Sequence, residues 1–152
     1  MLRKARIGDV KTIHRMINAS AGNGEMLPRS LMDIYGNLRD FFICQDEKSE
    51  EILGICAMSI VWENLAEIRS LYVDERHRKE GIGRDLVDAC VSEAITLELF
   101  RIFTLTYKHE FFRKLGFQDV DRSTLPEKIW SDCVRCSKYP DFCDEVAMIL
   151  EL

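Results

Sequence analysis

The spacing of apolar residues along this chain changes between the period of a helix and the period of a strand, and the order of those changes predicts the fold. Apolar side chains recur every three or four residues over residues 9–19, 30–38, 81–98 and 110–115. This spacing is typical of helices with one buried face. Asp9 is placed to cap the first helix, and Gly116 to close the fourth. Ser30 and Asp33 form a capping box at the start of the second.

Six other segments have the apolar runs of strands, namely residues 2–6, 41–45, 52–62, 66–73, 102–107 and 146–150. Short polar turns join the second, third and fourth of these, which predicts an antiparallel meander. The long helix connects the fourth strand to the fifth as a crossover, so these two strands are expected to be parallel. We predict one α/β domain over residues 1–152, with a mixed, mostly antiparallel sheet of six to seven strands and about four helices.

The polar segment between the fourth strand and the long helix predicts a phosphate-binding turn. Gly81 and Gly83 let the backbone approach a ligand closely, and the first turn of a helix presents unpaired N–H groups. Basic side chains surround these glycines at Arg76, Arg78, Lys79 and Arg84. The alternative is a plain strand-to-helix turn with solvated charges. A dinucleotide-binding fold and a Walker loop are disfavoured, because their glycine patterns are absent here.

Composition narrows the classes of partner. The net charge of −5 argues against non-specific nucleic-acid binding, which requires a cationic face. No apolar run approaches the roughly 20 residues that span a bilayer, and the basic start lacks the apolar stretch of a signal peptide. We therefore expect a cytoplasmic protein that binds neither nucleic acid nor membrane.

Two motifs, in order, resemble the GNAT superfamily of acetyltransferases over nearly the whole chain. The first is Leu71-Tyr72-Val73 followed by Arg78-x-x-Gly81-x-Gly83, and the second is the aromatic segment 111–117, which ends in Leu-Gly-Phe. Segments 24–30, 66–73 and 125–128 are also similar to the acetyltransferase domain of bacterial N-acetylglutamate synthases, in a short stand-alone form. The resemblance implies a GNAT fold and direct acetyl transfer from acetyl-CoA to the α-amino group of an amino acid. L-Glutamate is the first candidate, which would place the protein in arginine biosynthesis.

The resemblance also implies the residues that bind the cofactor. Strands 66–73 and 102–107 should splay apart, with the thioester between them and the pantetheine arm along residues 71–73. Backbone N–H groups near Tyr72 and Val73 are candidates for stabilising the oxyanion. The full set of implied acetyl-CoA-binding residues is Leu71, Tyr72, Val73, Arg78, Lys79, Glu80, Gly81, Ile82, Gly83 and Arg84.

An ammonium group must lose a proton before it attacks a thioester, and a carboxylate can take that proton. Glu67 lies where family members often place this base; its alternative role is a solvated strand residue or a partner of Arg69. At the position of the family's usual tyrosine, this chain has Phe112. Tyr107 or water could then protonate the leaving thiolate, or the thiolate could leave unassisted.

Arginine side chains suit the carboxylates of an amino-acid substrate. Arg69 shares a strand face with Glu67 by the two-residue period. Arg29 begins the second helix in a loop expected to overhang the site, and Ser30 adds a hydroxyl. The alternatives are surface arginines and an ordinary helix cap.

Three cysteines, Cys133, Cys136 and Cys143, have a spacing compatible with zinc but lack a fourth ligand. Reduced thiols or a disulfide are the alternatives, and no metal site is assigned.

Two other functions stay open, namely an acetyltransferase for a polyamine, antibiotic or protein N-terminus, and a non-catalytic acyl-CoA-binding module. The sequence does not give the oligomeric state; a homodimer is a candidate only by analogy with the family, in which dimers are common.

Overall fold

The computed structural model describes residues 1–22, 26, 28–125 and 146–152. Its elements are β1 (Leu2–Lys4), α1 (Val10–Gly22), α2 (Leu31–Gly36), β2 (Phe41–Gln45), β3 (Ile52–Trp62), β4 (Leu65–Val73), α3 (Ile82–Thr96), β5 (Arg101–Thr106), α4 (His109–Lys114), β6 (Gln118–Asp119) and β7 (Val146–Glu151). All predicted helices and strands are present. The sequence did not predict β6, because two residues are too few to show a period.

The strands form one seven-stranded sheet in the order β1-β2-β3-β4-β5-β7-β6. Every pair is antiparallel except β4 and β5, which are parallel as the crossover through α3 requires. The predicted α/β class and the mostly antiparallel sheet are therefore confirmed. None of the helices in the described part of the chain is long and apolar enough to cross a membrane.

Apolar clusters cover both faces of the sheet. On one face, α3 and α4 pack on a cluster that includes Ile68, Leu86 and Phe112. On the other face, α1 and α2 cover a cluster that includes Ile34 and Phe41. A third, smaller cluster of Leu65, Phe103, Leu125, Ala147 and Ile149 lies on this second face, farther along the sheet. Ser59, Glu67 and Arg69 lie between the second cluster and the third, and we call these residues the polar strip.

The starts of the two helices on the second face differ from each other. Ser30 forms its half of the predicted capping box, since its hydroxyl accepts a hydrogen bond from the backbone N–H of Asp33 at 3.0 Å. The carboxylate of Asp33 instead accepts from Arg29 and Asn37. Asp9 does not cap α1. Its carboxylate instead accepts the N–H of Arg6 at 2.7 Å and pairs with both terminal nitrogens of Arg3 at 2.7 and 2.9 Å. This tie holds the turn between β1 and α1.

Gly54 on β3 allows α3 to pack closely on the sheet. A Cβ atom at this position would lie 3.1 Å from each of Ile82 Cγ2, Leu86 Cδ1 and the backbone oxygen of Tyr72. Gly54→Ala is therefore expected to destabilise the fold by about 1–3 kcal/mol, lowering the melting temperature by about 2–4 °C per kcal/mol. Gly36→Ala is the matched control, because a Cβ there meets nothing within 4 Å. Equal melting temperatures for the two variants would show that α3 has room to shift.

Candidate active site

The parallel strands β4 and β5 separate soon after they meet. They pair only at Ala66 with Ile102 and at Glu67 with Phe103, while β5 remains paired with β7 along its whole length. At the point of separation, the hydroxyl of Thr104 donates to the carbonyl of Ile68 at 2.9 Å. Beyond Glu67 the structure shows no further register pair between β4 and β5, which leaves an open edge along this part of β4. Such an edge can bind an extended ligand through main-chain hydrogen bonds.

A bulge in β4 lies beside this open edge. Ala57 of β3 is opposite Arg69, but Ile55, two residues away, is opposite Tyr72, so β4 holds one extra residue. Ser70 absorbs the difference with a φ of 57°, which is uncommon for a residue other than glycine. As a result, Leu71 packs on the α3 face while Tyr72 packs on the opposite face. A strict two-residue period would have placed both the other way round.

The turn predicted to bind phosphate contains two residues in the left-handed region of the backbone map. Gly81 caps α3 with a φ of 86°, and Lys79 also has a positive φ of 69°. A Cβ on Gly83 would lie 3.2 Å from Cζ of Phe111, so a glycine keeps the aromatic ring against the first turn of α3. This arrangement presents the N-terminal N–H groups of a 15-residue helix.

The basic side chains of the turn differ in how firmly nearby carboxylates and carbonyls hold them. Arg76 pairs with Asp74 at 3.0 Å and with Glu51 at 2.5 Å, and its hydrogen bonds lower the pKa of Asp74 to about 2. Arg78 donates through Nε to the carbonyl of Val73 at 3.1 Å. Arg84 is exposed, and the nearest nitrogen and oxygen of Arg84 and Asp88 are as far as 4.0 Å apart. Arg76 is therefore committed to local carboxylates, while Arg84 is held loosely.

Glu67 and Arg69 lie together in the polar strip. They alternate with Ala66 and Ile68, which are buried. Glu67 is flanked by its two register partners, Ser59 on β3 and the fully buried Phe103 on β5. The structure thus places the predicted base and one predicted carboxylate-binding arginine side by side, next to the point where β4 and β5 separate.

Arg29 lies deeper than its sequence position suggested, with only 6% of its surface exposed. Its Nε is 2.6 Å from the carboxylate of Asp33, its Nη1 donates to the hydroxyl of Ser70 at 3.2 Å, and its guanidinium lies 5.1 Å from the ring centre of Phe41. Burial raises the pKa of Asp33, but the hydrogen bond and charge of Arg29 outweigh this effect and leave that pKa below its ordinary value. Arg29 therefore joins α2 to the bulge. Ser30, also predicted as a binding residue, is exposed and caps α2.

Phe112, which replaces the usual tyrosine, is part of the core. It is 3% exposed and makes edge-on contacts with Phe111 and Phe117, at centroid distances of 5.1 and 5.2 Å. Tyr107 follows the last residue of β5 and is half-buried. It lies at the end of β5 where the two strands are apart. Its role as the acid stays a prediction.

Several site residues carried no signal in the sequence. Thr104, Ser70 and Ser59 are ordinary strand residues until the strand pairing is known. Asp40 ends a short 3-10 turn before β2 and gives no signal of its own. The described residues hold no group of three His, Cys, Asp or Glu side chains placed to bind a metal. Cys133, Cys136 and Cys143, with Glu127 and Lys128, lie outside the described residues.

Comparisons with known proteins agree with this architecture. A family model described as an acetyltransferase (GNAT) domain matches residues 37–119. An uncharacterised N-acetyltransferase of Chlorobaculum tepidum is 40% identical over 99% of this chain and 96% of its own. An amino-acid acetyltransferase of Mycobacterium tuberculosis is 29% identical over 89% of this chain and 78% of its own.

Two solved structures are also similar. A Mycobacterium tuberculosis protein in complex with CoA has a TM-score of 0.86 and 26% identity, covering 100% of this chain and 99% of that one. The N-acetylglutamate synthase of Neisseria gonorrhoeae, complexed with coenzyme A and N-acetyl-glutamate, has a TM-score of 0.90 and 23% identity; the match covers 100% of this chain and 35% of the synthase. The sequence match, the sheet order and the splayed parallel pair together lead to one assignment: the chain belongs to the GNAT acetyltransferase family.

Proposed function

We propose that this protein transfers the acetyl group of acetyl-CoA directly to the α-amino group of an amino acid, with L-glutamate as the first candidate. The observation that carries the proposal is the pair of Glu67 and Arg69 on one strand face, beside the opening between β4 and β5. A carboxylate to take a proton and a guanidinium to bind a carboxylate are the two groups that an amino-acid acceptor needs. The corresponding setting is arginine biosynthesis in the cytoplasm.

The donor side of the site suits acetyl-CoA. The open edge of β4 offers main-chain hydrogen bonds to the pantetheine arm at Leu71, Tyr72 and Val73. The diphosphate is then held by the turn at residues 78–84, through the N–H groups of α3 and the side chains of Lys79 and Arg84. Similar proteins crystallised with CoA support this assignment.

The acceptor side is the polar strip. Arg69 binds the α-carboxylate of the amino acid, and Arg29 with Ser30 forms the far end of the subsite, where a second carboxylate would bind. Support comes from the name of the Mycobacterium tuberculosis relative, an amino-acid acetyltransferase, and from the N-acetyl-glutamate bound by the Neisseria gonorrhoeae synthase.

The chemical steps follow from these positions. Glu67 takes one proton from the ammonium group, and the neutral amine attacks the thioester carbonyl. Backbone N–H groups near Tyr72 and Val73 stabilise the oxyanion of the tetrahedral intermediate. The carbon–sulfur bond then breaks, and the nitrogen, which bears a positive charge after the attack, loses its second proton to water. The CoA thiolate takes a proton from Tyr107 or from water, or leaves as the anion; where Tyr107 is the donor, the proton released by the nitrogen restores it through water.

Arg69→Ala should raise the Michaelis constant for the amino acid about 10- to 100-fold, since a charge-assisted pair to a carboxylate contributes about 1.5–3 kcal/mol. The Michaelis constant for acetyl-CoA should not change. Arg101→Ala is the matched control. This exposed arginine is the first residue of β5, at the end away from the opening between β4 and β5, and it pairs with Glu151. Steady-state kinetics with each substrate varied will separate the two constants, and an effect confined to acetyl-CoA would move Arg69 to the donor side.

A panel assay tests the function itself. Free CoA is measured after the protein is mixed with acetyl-CoA and, in turn, L-glutamate, other amino acids, a polyamine and a peptide with a free N-terminus. Turnover with amino acids supports the proposal. Turnover with the polyamine or peptide alone identifies a different acceptor, and binding of acetyl-CoA without any turnover identifies a non-catalytic acyl-CoA-binding module.

A further inference from the structure

A second carboxylate lies behind Glu67, with one hydroxyl between them. Asp40 immediately precedes β2, and its Oδ2 accepts a hydrogen bond from the hydroxyl of Ser59 at 3.0 Å. Ser59 is the β3 residue directly opposite Glu67 on β4. Directly opposed residues point to the same face, with Cβ atoms about 4.5–5.5 Å apart. The order across the sheet is therefore Asp40, Ser59, Glu67.

Glu67 is half-buried, and its neighbours on two sides are apolar. Phe103 closes the side toward β5 and is fully buried, and Leu65 of the third cluster is its buried neighbour along β4 on the same face. The side toward β3 is polar because of Ser59. Asp40 lies beyond it, immediately before β2, and is half-buried.

The charges around Asp40 come from three neighbouring segments. Arg29 precedes α2 and is itself paired with Asp33. Lys4 on β1 contacts the ring of Phe42 at 4.4 Å and donates to the carbonyl of Arg39.

The remaining charges lie on β4, where Arg69 accompanies Glu67. Burial raises the pKa of Asp40, an effect that the Ser59 hydrogen bond and the charges of Arg29, Lys4 and Arg69 oppose but do not cancel. Asp40 therefore holds a proton more readily than an ordinary surface carboxylate does.

We propose that Ser59 and Asp40 form a proton relay that returns Glu67 to its charged form between turnovers. The O–H bond of protonated Glu67 breaks, and its proton passes to Oγ of Ser59. The original hydroxyl proton of Ser59 passes to Oδ2 of Asp40, so Ser59 gains one proton and loses one. Asp40 then releases the proton to water, and no electrons change hands. This proposal rests on the proposed role of Glu67, and Asp40 acts through Ser59 without touching the substrate.

The test uses three conservative variants of the full chain. Asp40→Asn keeps the shape and still accepts the Ser59 hydrogen bond, Ser59→Ala removes the middle of the relay, and Ser59→Thr restores a hydroxyl. We expect the first two to lower kcat at neutral pH on the order of tenfold, less than the 10²- to 10⁴-fold of a direct base. Ser59→Thr should keep most of the activity. The double variant should be no slower than the slower single one, because the two residues act in series.

Two further readouts distinguish a relay from a structural role. Rates in mixtures of light and heavy water should show several protons in flight for the wild type and one for either disrupted variant. A small buffer base such as imidazole should restore part of the rate in the variants only. Asp119→Asn, at an exposed carboxylate on β6, is the control and should match the wild type in every assay.

The outcomes are distinct. If the wild type turns over and Glu67→Gln is inactive, but Asp40→Asn and Ser59→Ala equal the wild type in kcat and isotope dependence, the relay is wrong and the proposed function stands. A slow variant that buffer does not restore, with wild-type isotope dependence, also overturns the relay. A wild type that acetylates no amine contradicts the proposed function, and the relay with it.

Discussion

Glu67→Gln is expected to lower kcat at neutral pH by about 10²- to 10⁴-fold, the usual contribution of a general base. Glutamine keeps the size of the side chain but cannot accept a proton from the ammonium group. The dissociation constant for acetyl-CoA should be unchanged, because the donor contacts lie on β4 beyond Arg69 and at the start of α3. The loss should shrink as pH rises, since more of the amino acid is then already deprotonated. Turnover measured from neutral to alkaline pH will show this dependence.

Glu63→Gln is the matched control for that measurement. Glu63 lies four residues earlier, exposed in the turn between β3 and β4, so its amide should leave kcat at the wild-type value. Equal rates for Glu67→Gln and the wild type across the pH range would remove Glu67 from the base role.

Gly81→Asp is expected to weaken acetyl-CoA binding on the order of 10- to 100-fold. A negative charge here repels the diphosphate and offsets the positive end of the helix dipole, which contributes up to about 2 kcal/mol to anion binding. The φ of 86° at Gly81 also disfavours any side chain, by roughly 1–2 kcal/mol. Isothermal titration with acetyl-CoA gives the dissociation constant directly, without turnover.

Gly8→Asp makes the same change in net charge away from the turn. A Cβ at Gly8 meets nothing within 4 Å, and its φ is not positive. This variant should bind acetyl-CoA as the wild type does. If both aspartate variants bind equally well, the turn at residues 78–84 does not hold the diphosphate.

The fold was largely readable from the sequence because its signals are local. The helix period over residues 81–98 and the short turns between residues 41 and 73 each depend on neighbours in the chain. The crossover rule then orders β4 and β5 without knowledge of any contact. The predicted capping by Ser30 succeeded for the same reason, while that by Asp9 failed because Arg3 competes for its carboxylate.

The site was readable only in part, because its finer geometry depends on pairing between distant segments. The motif around Gly81 predicted the turn, and the two-residue period of a strand predicted that Glu67 and Arg69 share one face. The bulge at Ser70 gave no such sign, since serine rarely adopts a positive φ. Likewise, Ser59 becomes a neighbour of Glu67 only through the register of β3 and β4, and Arg29 reaches Ser70 across 41 positions of sequence.

The most direct test of the central claim is to identify the product. The purified protein is mixed with acetyl-CoA carrying a carbon label in the acetyl group and with L-glutamate, and the reaction is followed by NMR and mass spectrometry. We expect equal amounts of free CoA and N-acetyl-L-glutamate, with the labelled acetyl group bonded to the α-amino nitrogen. Two results would contradict the proposed function. In one, the protein binds acetyl-CoA but leaves it intact with L-glutamate and every other amino acid; in the other, it acetylates only polyamines or peptides.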